Sequence, residues 1–237
     1  MVTVWKNATR EVCIEDLMYK EKYMKILFLG DSITEGVGAS LPEKRYTDLV
    51  GAKLGCQIVN YGISGTRISR QKQTSVRTIW DVDFRTRVPL MELEADFVFV
   101  FGGTNDYGHG ALHLGNPEET KEETFCTQLH LLIKDLIKKY GKDKLCFILP
   151  TRRLCEEPVA CKGDNVNELG ASLSEYVEAM RKIISSYKID FVDLYKNGFP
   201  RPTTDTEGEY TVDGLHPNDR GYEVIADCIF EYIKSKK

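Results

Sequence analysis

Three short runs in this chain are apolar without a break: Ile26-Leu27-Phe28-Leu29, Phe97-Val98-Phe99-Val100-Phe101 and Leu145-Cys146-Phe147-Ile148-Leu149. A strand with one wet face alternates apolar and polar residues. A run with no polar interruption implies burial on both faces, as in the parallel sheets of α/β proteins. Candidate strands are therefore placed at Lys25–Leu29, Phe97–Phe101 and Leu145–Leu149, with two more at Gln57–Asn60 and Phe191–Leu194. Helical patterns separate them. That alternation predicts an α/β sandwich around a parallel sheet with right-handed crossovers.

Three helices are marked by apolar stripes at helical spacing. Asn116-Pro117 offers a cap and a first-turn proline ahead of Phe125, Leu129, Leu132, Ile133, Leu136 and Tyr140, a stripe that closes at Gly141. Ser172 and Glu175 form a capping-box pair before Leu173, Tyr176, Val177, Met180, Ile183, Ile184 and Tyr187. Pro217 is expected to open the last helix, with Tyr222, Ile225, Ala226, Ile229, Phe230 and Ile233 facing the core. Two stretches, Thr66 to about Leu90 and Arg152 to about Gly170, follow neither period. Both come after strands, so both are expected over the carboxyl ends of the sheet, where open α/β folds bind ligands.

The chain has 237 residues, enough for one domain with a substantial core. Residues 1–23 read as an N-terminal arm and 24–237 as the domain, with Met24 an alternative start. A net charge of -4 and no basic stretch argue against nucleic acid as a partner. No segment approaches the ~20 apolar residues of a membrane span, and the charged N-terminus lacks the apolar centre of a secretory signal. Seven irregularly spaced cysteines suit reduced thiols, so a cytoplasmic location is expected, and Cys155 and Cys161 read as two free thiols rather than a bridge. The sequon Asn7-Ala8-Thr9 then carries no meaning.

Chemistry concentrates in four segments. Gly30-Asp31-Ser32-Ile33-Thr34 leaves the first strand, and Asp213-Gly214-Leu215-His216-Pro217 precedes the last helix. A serine hydroxyl is a weak nucleophile that needs a base, and the base needs an orienting carboxylate. Ser32, His216 and Asp213 are the residues to supply them. Alone, a strand-ending serine is more often a helix cap, and Thr34 stands where a G-x-S-x-G elbow would have its second glycine. Asn60-Tyr61-Gly62-Ile63-Ser64-Gly65 and Gly102-Gly103-Thr104-Asn105-Asp106 also follow strands. The amide of Gly62 and the side chain of Asn105 are candidate donors to an oxyanion. Singly, glycine and asparagine there are ordinary turn residues; jointly with Ser32 and His216 they are not.

Taken in order, Gly30-Asp31-Ser32, Asn60-x-Gly62-x-x-Gly65, Gly103-x-Asn105-Asp106 and Asp213-x-x-His216-Pro217 make the chain resemble the SGNH hydrolases, the GDSL-type esterases and lipases. The resemblance implies Ser32 as nucleophile, His216 as base and Asp213 as its orienting partner. It also implies the Ser32 and Gly62 amides and the Asn105 side chain as oxyanion donors, a flavodoxin-like three-layer α/β/α fold with a five-stranded parallel sheet, and no metal or organic cofactor. Substrate choice does not carry over with it; a small acyl ester is the substrate the residues themselves lead us to expect.

Asp31, Trp80, Tyr107 and Arg152 are candidates to line the substrate site. His109 and His113 have the spacing of a helical metal pair, but Gly108, Gly110 and Gly115 argue against a helix there, so pocket lining or loop polarity is expected. The polar roof segments Gln71–Ser75 and Lys162–Asn167 favour short acyl groups, acetyl above all, with a sugar as a plausible alcohol. A lysophospholipase or thioesterase, or an acyltransferase, would use the same three residues. A non-catalytic flavodoxin-like binder would leave the Asp213/His216 pair unexplained.

Overall fold

The structure, a computed structural model, describes residues 24–70, 75, 77–121, 123–154 and 169–236. The expected N-terminal arm, most of both roof segments, and Cys155 and Cys161 lie outside them. Five strands form one sheet: β1 (Lys25–Gly30), β2 (Gln57–Gly62), β3 (Phe97–Phe101), β4 (Leu145–Leu149) and β5 (Asp190–Asp193). They run in the order β2-β1-β3-β4-β5, all parallel.

The unbroken apolar runs are the three central strands, and their residues alternate between two cores. Leu27, Leu29, Val98, Val100, Phe147 and Leu149 pack under α5 (Phe125–Tyr140) and α6 (Leu173–Ser186). Ile26, Phe28, Phe99, Phe101, Cys146 and Ile148 pack under α2 (Tyr46–Leu54) and α8 (Asp219–Ser235). Both faces are thus dry, which is why no polar residue interrupts these strands. The edge strands β2 and β5 carry polar residues and are half-buried.

Four short helices complete the connections: α1 (Ser32–Glu35), α3 (Phe84–Arg87), α4 (Thr104–His109) and α7 (Glu207–Tyr210). In register, Gly30 pairs with Gly62 on one side and Phe101 on the other. The chain therefore leaves β1, β2 and β3 side by side at their carboxyl ends. The order reverses between β1 and β3, the switch point at which such sheets open a crevice.

Some expected boundaries move. Helix α5 is capped by Thr124, whose hydroxyl accepts from the Thr127 amide at 3.3 Å, and not by Asn116-Pro117. Asn116 instead caps a turn by accepting from the Glu118 amide, and the Pro117 carbonyl meets His130 Nε2 at 2.8 Å. The capping box of Ser172 and Glu175 is present on α6. Asn218 caps α8, while Pro217 sits in an antiparallel bridge to Thr211. β5 starts at Asp190 and stops before Leu194, because the Asp193 carboxylate accepts from the Lys196 amide and turns the chain. Residues Thr104–His109 are helical despite Gly108; the helix ends at Gly110, so His113 is not on it. Among the described residues no helix is long and apolar enough to cross a membrane.

Candidate active site

The turn that carries Ser32 follows from one side chain. Asp31 Oδ1 accepts from the Ile33 amide at 3.0 Å and caps α1, so the chain bends out of the sheet and Ser32 becomes the first helical residue. Ser32 Oγ lies 3.0 Å from His216 Nε2, and His216 Nδ1 lies 2.7 Å from Asp213 Oδ2. The loop that carries the pair is a small hairpin. Thr211 bridges Pro217, and the Val212 amide donates to the His216 carbonyl at 2.9 Å.

Burial works to raise the pKa of Asp213, but hydrogen bonds from the His216 side chain and from the His216 and Leu215 amides outweigh it and hold the carboxyl at about 2. An ionised carboxylate can only accept. Nδ1 must therefore carry the imidazole proton, which leaves Nε2 bare toward the Ser32 hydroxyl. This arrangement can take a proton from Ser32 as the oxygen attacks.

Candidate donors for an oxyanion lie beside it, with one change to the expected set. The Gly62 amide donates to Asn60 Oδ1 at 2.8 Å and is spoken for. Glycine is needed there for packing: a Cβ would come 2.1 Å from the Glu35 nitrogen, where α1 crosses the end of β2. Of the two glycines in the Asn60–Gly65 motif, Gly65 lines the cleft with Ser32 and Asn105. Its φ of +75° suits glycine, and a Cβ would strike the Trp80 indole. Among the described residues neither the Ser32 nor the Gly65 amide donates to an acceptor. Asn105 is buried and spends one N–H on the Thr66 carbonyl at 2.9 Å. A primary amide has a second.

These groups open on a cleft of about 360 Å³ whose other lining residues include Val37, Ser64, Arg77, Trp80, His109, Arg153 and Leu215. Arg77 sits over the Trp80 ring, and His109 packs against the same indole at 5.0 Å between centroids. Arg67 Nη1 donates to His109 Nδ1 at 2.9 Å, so His109 carries its proton on Nε2. Partial desolvation and then the Arg67 and Arg153 cations lower the His109 pKa to about 4. His109 is exposed, so the two neighbouring cations account for that direction more than burial does. His109 is thus a neutral donor near neutral pH. A larger hollow of about 510 Å³, lined by Arg70, Asp83, Arg85, Asp135, Lys138 and Lys139, has no serine, cysteine or histidine. Its charges are largely engaged, Arg85 with Asp135 at 2.8 Å and Lys139 with the Val88 and Met91 carbonyls.

Residues 28–224 match the model of the GDSL-like lipase/acylhydrolase family. The chain belongs to that family. Among solved structures it is similar to a Lactobacillus plantarum protein, with 28% identity, a TM-score of 0.73, and coverage of 90% of this chain and 97% of that one. A lipase/acylhydrolase from Enterococcus faecalis shares the fold at 21% identity and a TM-score of 0.62, covering 90% of this chain and 96% of its own. So does a carbohydrate acetylesterase from Sinorhizobium meliloti, at 18% identity and a TM-score of 0.65, covering 90% and 100%. A sequence search of curated proteins returns no match.

For this GDSL-like acylhydrolase, the candidate lining residues divide. Trp80 lines the cleft. Asp31 is 1% exposed and serves as a cap, out of reach of a ligand. Tyr107 is core, packed edge-on against Tyr176. Arg152 turns away over the Tyr195 ring, and its neighbour Arg153 takes the cleft position instead. Arg77, Arg153, Gly65, Val37 and Leu215 were not legible as site residues. Gly65 alone carried a signal, as the last position of its glycine motif. Among the described residues no group of three or more His, Cys, Asp or Glu side chains is arranged to hold a metal.

Proposed function

We propose that this carboxylic ester hydrolase is a serine esterase for short O-acyl esters, acetyl foremost, carried on a small polar alcohol such as a sugar. The observation that carries the reading is the relay from Asp213 through His216 to Ser32, with contacts of 2.7 and 3.0 Å, opening on the cleft. Ser32 Oγ attacks the ester carbonyl while His216 Nε2 takes its proton. The tetrahedral oxyanion is received by the Ser32 and Gly65 amides and the free N–H of Asn105. His216 then protonates the departing alcohol, and water repeats the sequence on the acyl-enzyme. Ionised Asp213 favours the imidazolium formed at each transfer.

The cleft supports a small, polar substrate. Val37, Trp80 and Leu215 are its main apolar side chains, against Ser64, Arg77, Asn105, His109 and Arg153. A long acyl chain gains about 0.8 kcal/mol per methylene only where an apolar groove receives it. The Sinorhizobium meliloti carbohydrate acetylesterase and an acetyl xylan esterase share the fold and are compatible with this choice. Among the described residues Cys126, Cys146 and Cys228 are free thiols, which suits a cytoplasmic site of action.

The test is turnover of p-nitrophenyl esters by wild type and Ser32→Ala. We expect Ser32→Ala to keep its circular dichroism spectrum and lose hydrolysis, and kcat/KM to peak at acetyl or butyryl. Wild-type turnover in Ser32→Ala would remove the nucleophile; a steady rise beyond butyryl would make the enzyme a lysophospholipase or thioesterase.

A further inference from the structure

Two of the three proposed oxyanion donors, the Ser32 and Gly65 amides, hang on turns that one buried cation holds from behind. Arg87, the last residue of α3, is 5% exposed. Its Nη1 donates to the Gly30 carbonyl at 2.9 Å and to the Tyr61 carbonyl at 2.6 Å. Its Nη2 donates to Thr66 Oγ1 at 3.0 Å. Gly30 lies two residues before Ser32, Tyr61 stands at the end of β2, and Thr66 follows Gly65. The connection continues through Thr66, whose hydroxyl donates to the Ile63 carbonyl at 2.7 Å and whose carbonyl accepts from Asn105 Nδ2 at 2.9 Å. From the other side, the Asp106 carboxylate accepts from the Ile68 and Ser69 amides. One guanidinium therefore fixes the spacing between the Ser32 turn, the Gly65 turn and, through Thr66, the Asn105 side chain.

The choice of residue is costly for stability alone. A buried cation loses its hydration, and Arg87 makes no ion pair among the described residues. It rests on the Phe84 ring at 4.5 Å and feels Asp31 and Asp83 only as neighbouring charges. Burial lowers its pKa to about 10, so it stays charged at neutral pH. A planar fork can reach three oxygens on two strand ends and a loop at once, and a lysine ammonium on a flexible stem cannot hold the same span. Apolar side chains would fill the space without the desolvation cost. They would not tie the three segments together.

We propose that Arg87 is a positioning residue for ester hydrolysis, setting the distance between the Ser32 and Gly65 amides and the Asn105 amide through its bonds to Gly30, Tyr61 and Thr66. The inference rests on the serine-esterase reading above. A donor displaced by about 1 Å contributes far less to the transition state, while substrate binding in the ground state changes little.

The experiment compares p-nitrophenyl acetate kinetics of wild type, Arg87→Met, Arg87→Lys, Thr66→Val, Asn105→Ala and the double variant of Arg87→Met with Asn105→Ala, with Ser32→Ala alongside. We expect kcat to fall about 10²-fold in Arg87→Met and about tenfold in Arg87→Lys and Thr66→Val, with KM within about threefold of wild type. The double variant should lose no more than about threefold beyond the worse single variant, because both act on one oxyanion site. A purely structural role would instead lower Tm and leave the kcat of the folded fraction alone. If Arg87→Met fails to fold, Thr66→Val, which is nearly isosteric, decides. A folded Thr66→Val or Arg87→Lys with kcat within twofold of wild type, or a loss confined to KM, overturns the proposal while a dead Ser32→Ala leaves the esterase reading standing. An active Ser32→Ala would overturn that reading and this inference with it.

Discussion

Two aspartates stand on either side of the Ser32–His216 pair, one in the nucleophile turn and one in the hairpin before α8. Asp31 is 1% exposed; one carboxylate oxygen accepts from the Ile33 amide and the other has no partner among the described residues. Burial pushes its pKa up to about 7, against the lowering influence of that amide, His216 and Arg87. Asp213 has a side chain 48% exposed, takes three hydrogen bonds from His216 and Leu215, and is held at about 2. The same residue type thus has its carboxyl pKa raised by burial on one side of the site and lowered by hydrogen bonds on the other. Solvent and hydrogen-bond donors, more than distance to the imidazole, decide which carboxylate can face the base as an anion.

The strongest way to break this contrast is Asp213→Asn. An asparagine retains the size of the side chain, but it no longer forces the imidazole proton onto Nδ1 and no longer stabilises the imidazolium. We expect kcat to fall by about 10³ to 10⁴, with circular dichroism unchanged. A loss below tenfold would mean that Asp213 does not orient His216. Next in size is Asn105→Ala, which leaves both aspartates in place and removes a donor on the substrate side. It should cost about 10²- to 10³-fold in kcat with little change in KM, measured on p-nitrophenyl acetate. A rise in KM at constant kcat would make Asn105 a residue of uniform binding.

What could be read in advance follows the range of the interactions. The central strands were legible because burial on both faces leaves a mark in each residue of Ile26–Leu29, Phe97–Phe101 and Leu145–Leu149. The pair Asp213/His216 was legible because both partners sit on one short loop, within three residues of each other. Helix starts were less so: Asn116-Pro117 carries the stronger local signal, yet Asn116 is used in a turn and Thr124 caps α5. The choice between Gly62 and Gly65 turned on one side chain, because Asn60 takes the Gly62 N–H and leaves Gly65 facing the cleft. Arg152 and Arg153 make the same point. They are adjacent and chemically identical, and only the packing around the exit of β4 decides which one reaches the cleft and which lies over Tyr195. Arg87 gave no signal at all, since its partners are carbonyls and a hydroxyl contributed by three other segments.

The smallest expected effect is also the most specific to the contrast. Asp31 has a native-state pKa of about 7 against an ordinary 3.8. Between those values the folded protein holds a proton that the unfolded chain has released, so this residue makes stability fall as pH rises from about 4 to about 7, and the loss then levels off. Asp31→Asn removes the titration while keeping an oxygen that can accept from the Ile33 amide, and asparagine caps helices about as well as aspartate. The variant should therefore match wild type in Tm near pH 4 and exceed it above pH 7. The gap between 3.8 and about 7 sets a ceiling of ~4 kcal/mol. Relaxation around the buried carboxylate should bring the gain down to about 1–2 kcal/mol. Its kcat should stay within a few-fold of wild type, because Asp31 touches neither the Ser32 hydroxyl nor the cleft. Thermal unfolding of both proteins from pH 4 to pH 8 checks the claim. Parallel curves with no pH-dependent divergence would mean that Asp31 is ionised in the fold, and the difference between the two aspartates would then be one of exposure alone.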